Sequence, residues 1–304
     1  MDTVRVTFLG TGSIADMTRR CASTAVTLPN GDVILVDTGA GQEAMFGLRT
    51  LGIDPCRVRA IVLTHQHLDH AGGLPFMVTG IRFMSLAPGA PRGRIEICAP
   101  AGAVEGLRGM CDTLYPGIFN PWCLGDRATW HASDPWQYLW GLDLLEDGTA
   151  AVATDLAPSG PAAPRAGAIA TIATMAVAHA SPPIPAQAVR IDVAMPDGTM
   201  RRIVFSGDTG PNLDLGKVGP EPDLMVHEAS SVEALGHDTD ATVTIGHTTA
   251  ATAGRVATRA KAKRLALHHL GSAWSGNPDA AREEAALHFV GDIHTPNDLD
   301  SVEI

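Results

Sequence analysis

The chain has 304 residues, enough for one large core, and its 45% apolar, 18% charged composition is that of a globular protein and unlike a disordered one. A net charge of −11 argues against a partner gripped through its phosphates, because that affinity comes from Lys and Arg. Five cysteines, an odd number without a C-x-x-C pair, argue against a disulfide framework and against a thiolate metal site.

In chain order, Val4–Leu9 reads as a strand, with no signal-peptide pattern before it. Ser23–Leu28 and Val33–Val36 flank the turn Asn30-Gly31-Asp32 and read as a hairpin. Glu43–Leu51 reads as a helix, and Ile61–Thr64 as a buried strand running into a histidine-rich loop. From about 112 to 165 the periodicity fades. Four of the five tryptophans and both tyrosines fall in this stretch, which reads as an insertion or lid on a single 1–304 domain. Strands resume at Ala168–Ala178, Ala188–Ala194, Arg202–Phe205, Asp223–Val226 and Leu265–Leu267, with helices at Thr248–Ala262 and Pro278–Phe289. Two sheets packed face to face with helices outside satisfy this order. No apolar run approaches about 18 residues, so a membrane span is not expected and the cytoplasm is the default location.

The densest chemistry lies in Thr64-His65-Gln66-His67-Leu68-Asp69-His70. Three imidazoles and a carboxylate on one strand-to-loop turn make a donor set suited to zinc, and desolvated rings crowded this closely need partners. Followed by Ala71-Gly72-Gly73-Leu74-Pro75, the pattern H-x-H-x-D-H resembles the metallo-β-lactamase superfamily. That resemblance implies an α/β fold, an αββα sandwich of two mixed sheets with its metals at one edge. It implies two zinc ions, with manganese or iron as alternatives the same donors admit. Carried over residue by residue, His65, His67, His179 and Asp208 would hold one ion, and Asp69, His70, Asp208 and His269 the other. Asp37, in Val36-Asp37-Thr38-Gly39, would support the loop from behind. Of the adjacent pair His268 and His269, the family pattern favours His269. A water held between the ions would be the nucleophile, its pKa lowered towards ~7, with Asp69 as proton acceptor.

Within the superfamily the chain is similar to ribonuclease Z. His227-Glu228-Ala229-Ser230, Gly246-His247-Thr248-Thr249-Ala250 and Lys263-Arg264-Leu265-Ala266-Leu267 carry the likeness. It implies that His247, oriented by Glu228, assists the leaving group. The chain departs from that family in two places. Arg127 and Arg165 stand against seven acidic residues in 112–165, so no cationic RNA clamp is legible there. Leu270-Gly271-Ser272-Ala273-Trp274 also lacks the arginine expected after the last metal histidine. The expected substrate is therefore a small organic molecule: a phosphodiester, an ester or lactone, or an activated aromatic. Its expected pocket is lined by Trp122, Trp130, Trp136, Tyr138, Trp140 and Trp274. Precursor transfer RNA is the alternative substrate, a non-catalytic binding protein on the same fold is the other alternative, and the family implies a homodimer.

Overall fold

Burial alternates along the strands in a way that requires a cover on each side of each sheet. In Val33–Val36, Ile34 and Val36 point into one apolar cluster while Val33 and Leu35 point into another. A strand buried on both faces reads as the unbroken run Val-Ile-Leu-Val. The computed structural model describes residues 3–90, 93–133, 139–153, 156–157, 165–180, 182–231, 246–274 and 276–304.

Among the described residues, the first sheet holds seven strands in the order β15 (Ser301–Glu303), β1 (Arg5–Gly10), β2 (Ser23–Thr27), β3 (Val33–Val36), β4 (Val58–Val62), β5 (Ile95–Pro100) and β6 (Ala128–Ser133). The second holds eight: β14 (Asp292–His294), β13 (Arg264–His268), β12 (Leu224–Glu228), β11 (Met200–Phe205), β10 (Ala186–Ala194), β9 (Ala168–Val177), β7 (Trp140–Leu145) and β8 (Ala150–Val152). Both are mixed. Strands β3 to β6 run parallel, as do β11 to β14, and the other pairs are antiparallel.

Three cores follow. Between the sheets, Val6, Phe8, Ile34 and Val62 meet Leu142, Ile172, Ile191, Ile203 and Val226. Outside the first sheet, α1 (Glu43–Thr50), α3 (Leu74–Met84) and α4 (Val104–Leu114) lay Leu48, Met77, Ile81 and Leu107 against Leu35, Ile61 and Ile97. The short α2 (Leu68–Ala71) precedes α3. Outside the second sheet, α5 (Ala250–Ala260) and α6 (Pro278–Ala286) cover Val204, Met225 and Leu265. The αββα sandwich expected from the sequence is the fold observed.

The stretch 112–165 needs a correction. Its described part is not a lid: β6 extends the first sheet by pairing with β5, and β7 pairs with β9 inside the second. Pro, Gly and aromatic residues blurred the periodicity, but the strands pair normally. The sequence reading also passed over β5 and the helices α3 and α4. Among the described residues no helix is long and apolar enough to cross a membrane.

Candidate metal centre

The centre forms where β4, β11, β12 and β13 end together at one edge of the sandwich. Ligands leave open α/β sheets at such carboxyl ends, where backbone groups are freed from the ladder. His65, His67, Asp69 and His70 follow β4; Asp208 follows β11; Glu228 ends β12; His269 follows β13; and His179 lies just after β9.

Asp208 Oδ2 is the hub. It lies 3.3 Å from His70 Nε2, 3.4 Å from His269 Nε2 and 3.8 Å from each of His65 Nε2, His179 Nε2 and His247 Nδ1. Asp69 Oδ2 lies 3.3 Å from His269 Nε2 and 3.8 Å from His70 Nε2. His67 Nδ1 stands 3.2 Å from His179 Nε2.

The other face of each ring is tied down, which fixes the tautomer. His70 Nδ1–H donates to Asp37 Oδ2 at 2.8 Å. The Thr64 hydroxyl donates to the same Asp37 oxygen at 2.8 Å and faces His65 Nδ1 at 3.1 Å, as acceptor. His179 Nδ1–H donates to the Gly246 carbonyl at 2.7 Å. The Ser230 hydroxyl donates to the His269 carbonyl at 2.9 Å and accepts from His269 Nδ1 at 2.7 Å. Four imidazoles therefore present Nε2 lone pairs to one space. Outer hydrogen bonds of this kind orient metal-binding histidines.

The backbone is strained where it must be. Asp37 (φ 59°) and His269 (φ 48°) occupy the left-handed region, uncommon without glycine. Two neighbouring turns admit only glycine. A Cβ on Gly207 (φ 59°) would sit 2.7 Å from the Gln187 carbonyl oxygen, and one on Gly246 (φ 73°) 2.2 Å from the Ala180 nitrogen.

Do these residues fit cations? His65 Nε2, His70 Nε2 and Asp208 Oδ1 are buried and make no hydrogen bond within the protein. Buried polar atoms are rarely left so. Among the described residues, five overlapping trios drawn from His65, His67, Asp69, His70, His179, Asp208, Glu228, His247 and His269 have ligand atoms within 4.8 Å of one another. Nitrogen and carboxylate donors in this density suit zinc and its neighbours. The charge balance agrees. Burial opposes ionisation of Asp208, yet His269 and His70 hold its carboxyl well below the usual carboxylate range. Burial and the neighbouring His70 push His65 well down, as a neutral ligand requires.

His247 stands to one side. Its Nδ1 lies 3.2 Å from both oxygens of Glu228, which also accepts from the Thr209 backbone N–H at 2.7 Å. Burial works against the charged ring, but Glu228 beside it raises its pKa to about 9.

Of the adjacent histidines, His269 joins the cluster. His268 turns away, donating through Nε2 to the Gly10 carbonyl at 2.9 Å. The expected aromatic pocket is not gathered at the centre, which is a second correction. Trp140 is buried between the sheets, Trp130 packs with Phe119 on the outer face of the first, and Trp122 is exposed. Trp274 is buried beneath α5 and α6, its indole N–H donating to the Ala229 carbonyl at 2.6 Å. Trp136 and Tyr138 lie outside the described residues. Sequence reasoning passed over Thr64, Ser230 and Gly246. Thr64 and Gly246 adjoin chosen residues, Ser230 lies two positions after Glu228, and the hydroxyls of Thr64 and Ser230 were the available signal.

A sequence model described as the metallo-β-lactamase superfamily matches residues 18–83. The chain is 28% identical to ribonuclease Z of Natronomonas pharaonis, covering 99% of this chain and 98% of that one. It is likewise 28% identical to ribonuclease Z of Halorubrum lacusprofundi, over 99% and 97%. Among solved structures, the metallo-β-lactamase fold protein YhfI from Bacillus subtilis superposes with a TM-score of 0.67 at 20% identity, over 98% of this chain and 99% of that one. The short form of human tRNase Z superposes with a TM-score of 0.65 at 20% identity, over 98% of each chain. The chain thus matches the metallo-β-lactamase superfamily over residues 18–83, shares that fold over nearly its whole length, and is similar from end to end to ribonucleases Z.

Proposed function

We propose that this chain is a metal-dependent phosphodiesterase of the ribonuclease Z type, an endonuclease that cuts RNA at a two-ion centre. The observation that carries the reading is the His247–Glu228 pair beside Asp208. Attack of water on a phosphodiester must expel an alkoxide, and an imidazolium held by a carboxylate is suited to protonate it, at about 10²–10⁴-fold. Whole-length similarity to ribonucleases Z supports the same substrate class over the small organic molecule expected from the sequence.

His65, His67 and His179 with Asp208 would hold one ion, and Asp69, His70 and His269 with Asp208 the other. The ions would lower the pKa of bound water towards ~7 and polarise the phosphoryl group. Asp37, Thr64, Gly246 and Ser230 keep the rings aimed inward. Glu228 keeps His247 charged and oriented through Nδ1, which leaves Nε2–H for the leaving oxygen. Thr209 N–H in turn fixes Glu228.

A second reading, a small phosphodiester substrate, is favoured by one observation. Arg165 is engaged by Asp143 at 2.8 Å, and Arg127 by the Ser85 hydroxyl and the Gly93 carbonyl. The two cations of 112–165 are thus committed within the fold. The test is a parallel assay of zinc-loaded protein on a precursor transfer RNA and on an aryl phosphodiester, with Asp208→Ala as control. Site-specific RNA cleavage absent from the control supports the endonuclease. Turnover of the aryl diester alone supports the small substrate, and turnover of neither overturns both.

A further inference from the structure

Asp298, in the segment that leads into β15, holds a loop that lies nearly the whole chain away in sequence. Its Oδ1 accepts from the Thr11 backbone N–H at 3.0 Å and from the Thr11 hydroxyl at 2.8 Å, and its Oδ2 accepts from the Arg20 backbone N–H at 2.7 Å. One carboxylate thus ties together both ends of the 11–20 loop. Arg19 adds a strut, donating through Nη1 to the Thr11 hydroxyl at 2.7 Å and to the Pro296 carbonyl at 2.8 Å. The anchor itself is held at a cost: Leu299 lies at φ 73°, rare for a leucine, and its N–H donates to the Phe8 carbonyl at 2.6 Å.

The same loop touches the centre at two points. Ile14 N–H donates to Asp69 Oδ2 at 3.1 Å. Leu270 N–H donates to the Thr11 carbonyl and Ser13 N–H to the Leu270 carbonyl, each at 3.0 Å, which pins the turn immediately after the strained His269. Asp69 and His269 are both assigned to one of the two ions. The trio His65, His67 and His179 has no hydrogen bond to this loop among the described residues; Thr64 holds the His65 ring and Gly246 the His179 ring.

We infer that Asp298 is a positioning residue for the ion held by Asp69, His70 and His269, acting through the 11–20 loop. The inference rests on the two-ion reading above. An asparagine at 298 keeps one acceptor oxygen and turns an NH₂ towards a backbone N–H, so at least one of the three bonds is lost and the loop is released from one end.

The test is a competition titration of metal-free protein with zinc against a chromophoric chelator. Wild type takes two equivalents. Asp298→Asn takes one with unchanged affinity and the other about 10–100-fold more weakly, the range seen when outer supports of a metal site are removed. Thr11→Val, which loses the hydroxyl's bonds with Asp298 and Arg19 but keeps both backbone N–H bonds to Asp298, moves the same step in the same direction by less. Asp147→Asn serves as control: that exposed aspartate accepts from Thr149 N–H and hydroxyl in a distant hairpin, and its titration matches wild type. Unchanged affinities in both Asp298→Asn and Thr11→Val overturn the inference. So does equal weakening of both ions, which marks general softening of the fold. A wild type that takes fewer than two ions refutes the two-ion reading itself, and the inference falls with it.

Discussion

Glu228→Gln isolates the role given to His247. The substitution keeps the shape of the side chain and its contact with Thr209 N–H, but removes the charge that faces His247 Nδ1 at 3.2 Å. The rise of the His247 pKa from 6.5 to about 9 works against burial, with Glu228 as its chief source. It corresponds to roughly 3 kcal/mol in favour of the charged ring. The acid form is populated below the pKa and lost above it. With Glu228 neutral, burial still favours the uncharged ring, so at pH 8 the charged fraction of His247 falls from about nine-tenths to a few per cent or less, a deficit of at least about 30-fold in the acid. The deficit narrows as the pH falls, because the variant's ring gains its proton at a lower pH than the wild-type ring. The assay is a kcat/KM–pH profile of wild type and variant on RNA, whose alkoxide leaving group needs a proton. An aryl diester with an acidic phenol serves as comparison and loses little. Parallel profiles on RNA, offset by one constant factor at every pH, would refute the general-acid role.

Three further outcomes are expected. Gly246→Ala places a Cβ 2.2 Å from the Ala180 nitrogen and 3.0 Å from His179 backbone atoms, so metal content after dialysis falls below that of wild type by elemental analysis while far-UV circular dichroism is kept. Trp274→Phe deletes the indole N–H that satisfies the Ala229 carbonyl and costs about 1–3 kcal/mol in a urea titration, with a smaller loss of activity because Ala229 sits between Glu228 and Ser230. Ile191→Ala opens the core between the sheets and costs about 2–5 kcal/mol, while the activity of the remaining folded molecules is unchanged. An unaltered urea midpoint in the last variant would contradict the placement of that core.

The gathering of histidines and aspartates at one edge was legible because its pattern is local. His65, His67, Asp69 and His70 lie within six positions, and Asp208 and His269 each follow an apolar strand, so spacing and strand ends sufficed. Strands buried on both faces, such as Val33–Val36, were equally plain. The stretch 112–165 misled for a physical reason. β6 leaves residues such as Thr129 and Trp130 partly exposed, and aromatic residues there fill the body of the sandwich in place of a pocket. Aromatic enrichment marks burial as readily as binding, and only the fold separates the two. The loop at 11–20 and its tie to Asp298 were out of reach, because hydrogen bonds between residues nearly the whole chain apart leave no periodic trace.

The proposed two-ion centre is tested most directly by titrating zinc into metal-free protein and following RNA cleavage at each step. The account predicts no cleavage without metal, cleavage that climbs until two equivalents per chain are bound, and none at any loading in Asp208→Ala, whose Oδ2 is the atom shared by both ligand sets. Full activity at a single equivalent, or cleavage that persists in excess chelator, would contradict it.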